Sequence, residues 1–162
     1  MVFEFMPMTV HERLVQLERN NEHVPPKHTR LWSYQLFQAL AYVHAASICH
    51  RDVKPDNLLL NPDNNLIKLT DFGNAKMSMA RCKLNSQYQK IETSPSYEPD
   101  LLDLLQVTFL YNPNRRWSAA EVVTHSPYYA GLRIKKLLDR PQVEHAMMPD
   151  PSQIKREMQE VC

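Results

Sequence analysis

Between Leu31 and Cys49 the chain carries no Asp, Glu, Lys or Arg. An uncharged stretch of this length is either a bilayer span or a helix around which a core is organised. Ser33, Gln35, Gln38, His44 and Ser47 make it too polar to cross a membrane. Trp32, Leu36, Leu40 and Val43 recur at helical spacing, so the pattern predicts a core helix over Lys27 to Ala46.

The segments around this helix are shorter. Val2 to Phe5 reads as an apolar strand cut by Pro7, and Thr9 is a candidate N-cap for a helix whose apolar side holds Leu14, Val15 and Leu17. Asn20, Asn21, Pro25 and Pro26 break that helix. After the core helix, Leu58 to Leu60 and Leu66 to Thr70 read as short strands joined by the turn Pro62-Asp63-Asn64-Asn65. Met77 to Pro99 has no helical period and reads as a loop or linker. Leu101, Leu104, Leu105, Thr108 and Phe109 restore the period, Asn112-Pro113-Asn114 ends it, and Ser118 with Glu121 forms a capping box for a helix to about His125. Beyond Gly131 come a basic helical piece, several prolines and a polar helix from about Ser152 with no clear core face.

Composition excludes several functions. There are 19 Lys+Arg against 18 Asp+Glu, which gives no electrostatic reason to expect nucleic acid or an anionic membrane as partner. Gly73 and Gly131 are the two glycines of the chain, and neither a G-x-G-x-x-G nor a G-x-x-x-x-G-K-[ST] phosphate loop can be written with them. Cys49, Cys82 and Cys162 are odd in number and widely spaced, so no disulfide framework or zinc site is expected and a reducing compartment is the default. MVFEFMPMTV lacks the basic start of a signal peptide. The reading is an intracellular protein, cytoplasmic or nuclear.

The chemistry lies in His50-Arg51-Asp52-Val53-Lys54-Pro55-Asp56-Asn57, followed after the two strands by Asp71-Phe72-Gly73. Singly, the D-F-G run is a common strand-end turn and His50 a satisfied buried imidazole. Together, in this order, they resemble the eukaryotic protein kinases, whose signature is H-R-D, an Asn five residues after the Asp, and D-F-G. Such enzymes work by placing reactants and neutralising phosphate charge, which calls for a carboxylate beside the attacking hydroxyl and oxygen ligands for Mg²⁺. The resemblance implies Asp52 as the orienting carboxylate, Lys54 as the cation that steadies the transferring phosphate, and Asn57 and Asp71 as Mg²⁺ ligands. Lys54 at this position is the mark of serine/threonine kinases.

In finer detail the chain is similar to the CMGC group and, within it, to the glycogen synthase kinase (shaggy) type. SYQLFQALAYVHAASICHRDVKPDNLLLNPD and KLTDFGNAK carry this likeness, and VFEFMPMTV looks like the hinge. The resemblance implies ATP and Mg²⁺ as cofactors. Phe3 would then be the gatekeeper, Glu4 and Met6 would offer backbone groups to adenine, Thr9 would lie near the ribose and Leu59 would form the pocket floor. Arg51 and Lys76 match two of the three basic residues that grip a priming phosphate on a substrate. The implied partners are a protein substrate, a kinase-interacting protein or a separately supplied N-lobe, with no nucleic acid and no membrane.

The implied fold is mainly α with an α+β remnant: helices like those of the kinase C-lobe and a short β-hairpin, the N-lobe being absent. Residues 1–130 would form an incomplete kinase domain with the central helix region deleted around 77–100, and 131–162 a C-terminal tail. The sequence contains no Gly-rich loop, no V-A-I-K lysine and no A-P-E. Arg116 matches the arginine that pairs with the A-P-E glutamate, for which Glu92 or Glu98 would substitute; a solvated surface arginine is the other reading. Loss of the central helix would leave leucines of the core helix short of partners.

Overall fold

Thr9 opens the first helix as expected: its hydroxyl accepts from the Glu12 amide at 3.1 Å while the Glu12 carboxylate accepts from the Thr9 amide at 2.7 Å. This reciprocal pair satisfies two amides that a helix start leaves without partners. The computed structural model of the chain describes residues 4–77 and 98–133. Helix α1 spans Val10–Arg19 and buries Val10 and Leu17. It ends at Asn20, followed by Asn21 in the left-handed region, a conformation that asparagine tolerates.

The expected core helix is α2, Pro26–Ala45, started by a proline whose missing N–H costs nothing there. It serves two cores. Trp32 and Leu36 pack with Val10, Leu58, Leu60 and Ile67. Tyr34 and Phe37 pack with Leu104, Val122, Tyr128 and Tyr129. Its buried residues are Trp32, Tyr34 and Val43, whereas Leu31, Leu36 and Leu40 are only partly covered.

Strands β1 (Met8–Thr9), β3 (Leu58–Asn61) and β4 (Leu66–Leu69) form an antiparallel sheet in the order β1-β3-β4. Met8 pairs with Leu60 and Thr9 with Leu59; Leu58 pairs with Leu69 and Asn61 with Leu66. The hairpin turn is closed by side chains, Asn61 Oδ1 accepting from the Asp63 amide and Asn64 Oδ1 from the Leu66 amide, each at 3.0 Å. Gln35 of α2 braces it from below: its amide nitrogen donates to the Asn65 carbonyl and its oxygen accepts from the Ile67 amide, both at 2.9 Å. A second ribbon pairs β2 (Ile48–Cys49) antiparallel with β5 (Lys76–Met77).

Helix α3 spans Pro99–Thr108 and α4 spans Ala119–His125. The Ser118 and Glu121 capping box is present, with the Glu121 amide donating to the Ser118 hydroxyl at 3.2 Å. The fully buried Tyr129 locks this part to α2, donating to the Ser33 hydroxyl at 2.9 Å, which donates to the Thr29 carbonyl at 2.7 Å. Burial raises the Tyr129 phenol well above its ordinary value, so it stays a neutral donor.

Four sequence expectations need correction. Among the described residues the first strand is Met8–Thr9, after Pro7; of the expected Val2 to Phe5, Val2 and Phe3 lie outside the described residues, residues 4–7 have no strand pairing and Phe5 is 82% exposed. What makes a strand here is the free edge of β3, which starts beyond the proline. Arg116 is not paired with Glu98 and is only partly solvated: its Nε donates to the Leu110 carbonyl at 2.8 Å and its Nη2 to the Tyr111 carbonyl at 3.3 Å, closing the turn after α3. Glu98 instead pairs with Arg30 of α2. Cys49 is disulfide-bonded, although its sequence context suggested no disulfide framework. Met77 belongs to β5 and Pro99 to α3, so neither is in the expected loop, the rest of which, 78–97, lies outside the described residues. The tail beyond 133, Phe3 and Glu92 also lie outside them. Among the described residues no helix is long and apolar enough to cross a membrane.

Candidate active site

The loop after β2 is built around His50, which is 2% exposed. Its Nε2 donates to the Thr70 carbonyl at 2.9 Å and its Nδ1 accepts from the Asp52 amide at 3.3 Å, so both ring nitrogens are satisfied. The ring also meets Phe72 edge-on, centroids 4.7 Å apart. Thr70 is held from two sides, because its amide donates to the Asn57 carbonyl at 3.0 Å. Both backbone groups of the residue before Asp71 are thus tied to the His50–Asn57 loop. The reading of His50 as a satisfied imidazole and its place in the signature are the same fact.

Asp52 lies at the centre. Its Oδ2 accepts from Lys54 Nζ at 3.0 Å, Asn57 Nδ2 at 3.1 Å and Asn74 Nδ2 at 3.4 Å. Asn57 Nδ2 also donates to the Asp52 carbonyl at 2.8 Å, which fixes the loop's curvature. The Lys54 bond and charge, with smaller help from the two amides, hold the Asp52 carboxyl below the usual carboxylate range. The same contact raises Lys54, with Asp56 and Asp71 adding to it through their charge. The site is therefore an ionised carboxylate beside a permanent cation.

Two residues here adopt left-handed backbone, Arg51 at φ 67° and Asp71 at φ 61°. This costs roughly 1–2 kcal/mol for a residue with a side chain. The Arg51 conformation is held by its own Nε, which donates to the Asn74 carbonyl at 2.9 Å. Asp71 is stabilised by its carboxylate accepting the Gly73 amide at 3.3 Å. A side chain on Gly73 would sit 3.2 Å from that carboxylate oxygen, so the Asp71 side chain would have to give by a few tenths of an ångström.

The structure brings Asp52, Lys54 and Asn57 into direct contact, and Asp71 close enough for its charge to act on Lys54. Thr9 and Leu59 are neighbours in the sheet, and β1 packs against the 3₁₀ turn Pro55–Asn57. Thr9's hydroxyl is engaged by its helix cap, Met6 is half-buried, and Glu4 is exposed and paired with Lys68 of β4. Lys76 faces Cys49 across the ribbon, two residues from Arg51, and both cations are exposed. Two concavities, of about 330 and 420 Å³, flank α1, and neither is lined by Asp52, Lys54, Asn57 or Asp71. Sequence reasoning missed Thr70 and Asn74; the available signal was their position, immediately before and after Asp71-Phe72-Gly73.

The model of the protein kinase domain matches residues 1–97, more than half of the chain. This chain belongs to the protein kinase family. Within the family it is similar to kinases of the glycogen synthase kinase type. It is 48% identical over 80 residues to protein kinase gsk3 of Schizosaccharomyces pombe, covering 49% of this chain and 21% of that protein. It is 47% identical over 77 residues to glycogen synthase kinase 1 of Pyricularia oryzae, covering 48% of this chain and 20% of the relative. The matched part thus spans about a fifth of the length of these relatives.

The donors fit a hard dication completed by other ligands. Asp71 supplies exposed carboxylate oxygen and Asn57 an amide oxygen, while no group of three or more His, Cys, Asp or Glu that would hold a metal alone occurs among the described residues. Mg²⁺ typically takes one or two carboxylates and draws its other ligands from phosphates and water.

Proposed function

We propose that this chain carries the lower half of a serine/threonine protein kinase site. Residues 1–130 form an incomplete kinase domain and 131–162 a tail. The observation that carries the reading is the polar network on Asp52: an ionised carboxylate fixed by Lys54 and Asn57 and linked through Thr70 to the backbone of Asp71. Among the described residues all three donors sit on Oδ2, and Oδ1 is assigned to a substrate hydroxyl. Asp52 orients that hydroxyl and takes its proton. Asn57 and Asp71 are the residues that would hold Mg²⁺, whose chemistry when bound is to neutralise charge on the phosphates of ATP. Lys54, already beside Asp52, places a positive charge where the transferred phosphate would pass.

On this reading the hinge residues Glu4 and Met6 face adenine through their backbone, with Thr9 towards the ribose and Leu59 on the floor. The reaction also requires the Gly-rich loop and phosphate-pairing lysine of an upper lobe, which these 162 residues do not contain. Arg51 and Lys76, exposed on one edge, are assigned to a phosphate already carried by the protein substrate.

The test is phosphoryl transfer from radiolabelled ATP to a serine peptide carrying a priming phosphate, with Asp52→Asn and Asp71→Asn beside wild type. Each substitution is expected to lower the rate by about 10²-fold or more. Wild-type activity in both variants would mean a contaminating kinase and would sink the enzyme reading. A second reading, a non-catalytic module that engages kinase partners or substrates, is favoured by the lack of an A-P-E run after Asp71-Phe72-Gly73. It predicts no Asp52-dependent transfer and no thermal shift with millimolar MgATP.

A further inference from the structure

Of the three donors to Asp52 Oδ2, Lys54 and Asn57 come from the H-R-D loop and the third does not. Asn74, the residue after Asp71-Phe72-Gly73, closes the 3₁₀ turn Phe72–Asn74 and meets the H-R-D run twice. Its carbonyl accepts from Arg51 Nε at 2.9 Å, and its side-chain amide donates to Asp52 Oδ2 at 3.4 Å. Lys54, the strongest partner of the same oxygen, is a flexible cation whose side chain is 48% exposed. An exposed ion pair of this kind restrains a side chain weakly.

We propose that Asn74 is a positioning residue: it ties the Asp52 carboxylate to the D-F-G turn, so that the orienting carboxylate and the Asp71 carboxylate are set by one piece of backbone. This rests on the kinase reading for its purpose, but not for its existence. With Asn74 in place, Oδ2 is held from both sides of the cleft floor, by Asn57 from the loop and by Asn74 from the turn. Oδ1 accepts no bond from any described residue. The Arg51 contact runs through the Asn74 backbone carbonyl, so substituting the side chain removes the Asp52 link while leaving the Arg51 link intact. Asn is suited to the position because its short amide reaches the facing H-R-D loop and donates without adding charge beside a carboxylate.

The experiment is side-chain NMR on the full chain. In wild type, the Asn74 side-chain amide protons should show NOE cross-peaks to the Asp52 β-protons; their absence overturns the proposal without any variant being needed. In Asn74→Ala, the Asp52 ¹³Cγ resonance should move and its three-bond couplings should drift from a single χ1 rotamer towards the average, with the backbone ¹H–¹⁵N spectrum otherwise retained. Asn74→Gln, which keeps the amide on one more methylene, should recover part of the wild-type signal. Asp52 resonances and couplings identical in wild type and Asn74→Ala would overturn it. Neither measurement uses nucleotide, so a chain that shows the tie but no Asp52-dependent transfer retains the proposal and loses only the kinase reading.

Discussion

The two sides of α2 are held together by different physics. On the side of the candidate site, backbone pairing and short polar contacts dominate: β3 and β4 in register, Thr70 bonded through both its backbone groups, Asp52 bonded by three donors. Nearly all of these link residues within the stretch from Ile48 to Met77. On the other side, α3, α4 and the turn Pro127–Tyr129 are held by a cluster of rings, with Tyr129 5.2 Å from Tyr34 and 5.1 Å from Tyr128. The hydrogen bond that anchors it joins residues 96 apart in sequence. Local directional bonds specify a geometry, whereas long-range apolar packing specifies a docking; the site needs the first and is supported by the second.

That contrast can be broken most forcefully in the core on the site's own side of α2. Leu60 is fully buried on β3 beneath the site. Leu60→Ala should cost about 2–5 kcal/mol of stability in denaturant titration. Hydrogen exchange should show the loss in the hairpin amides before α4. Equal loss of protection on both sides would merge the two regions into one cooperative unit.

A smaller effect is expected from Tyr129→Phe, which keeps the ring packing and deletes only the hydroxyl. The loss should be about 0.5–1.5 kcal/mol, since Ser33 keeps its own bond to Thr29. A loss as large as that for Leu60→Ala would show that the hydrogen bond, not the rings, anchors the C-terminal side.

The helix caps sharpen the comparison further, because each region has one capping box. Thr9→Ala and Ser118→Ala should each cost about 1 kcal/mol. If only Ser118→Ala is felt in α4 exchange and only Thr9→Ala in α1, the regions open independently.

The smallest effect concerns pH. Burial of His44, near the end of α2, holds its imidazole below the ordinary value of 6.5. The unfolded chain therefore binds the proton first. Stability is complete above about pH 6.5 and declines as pH falls below it, until the folded form is protonated too. His44 is largely exposed by area, so the decline is shallow. His44→Gln should flatten it in melts between pH 7 and 5, and an unchanged slope would assign the dependence to another group.

The sequence by itself determined the elements whose causes are local. Thr9 with Glu12 and Ser118 with Glu121 cap the helices that follow them, and Asn61 and Asn64 close the hairpin, because each bond spans only two or three residues. The order of H-R-D, Asn57 and D-F-G determined the family for the same reason: the chemistry requires those side chains at those spacings. Tertiary structure decided what depends on which surface is free. It put the first strand at Met8–Thr9, where β3 offers an unpaired edge, and left the apolar Phe5 in solvent. It gave Glu98 to Arg30 and turned Arg116 onto the Leu110 and Tyr111 carbonyls, because a charged side chain takes the nearest acceptors that the packed chain presents. It also made α2 a shared wall of two cores, with leucines that are not fully covered. Periodicity says that a helix has an apolar face, but only the neighbours determine how much of that face is buried.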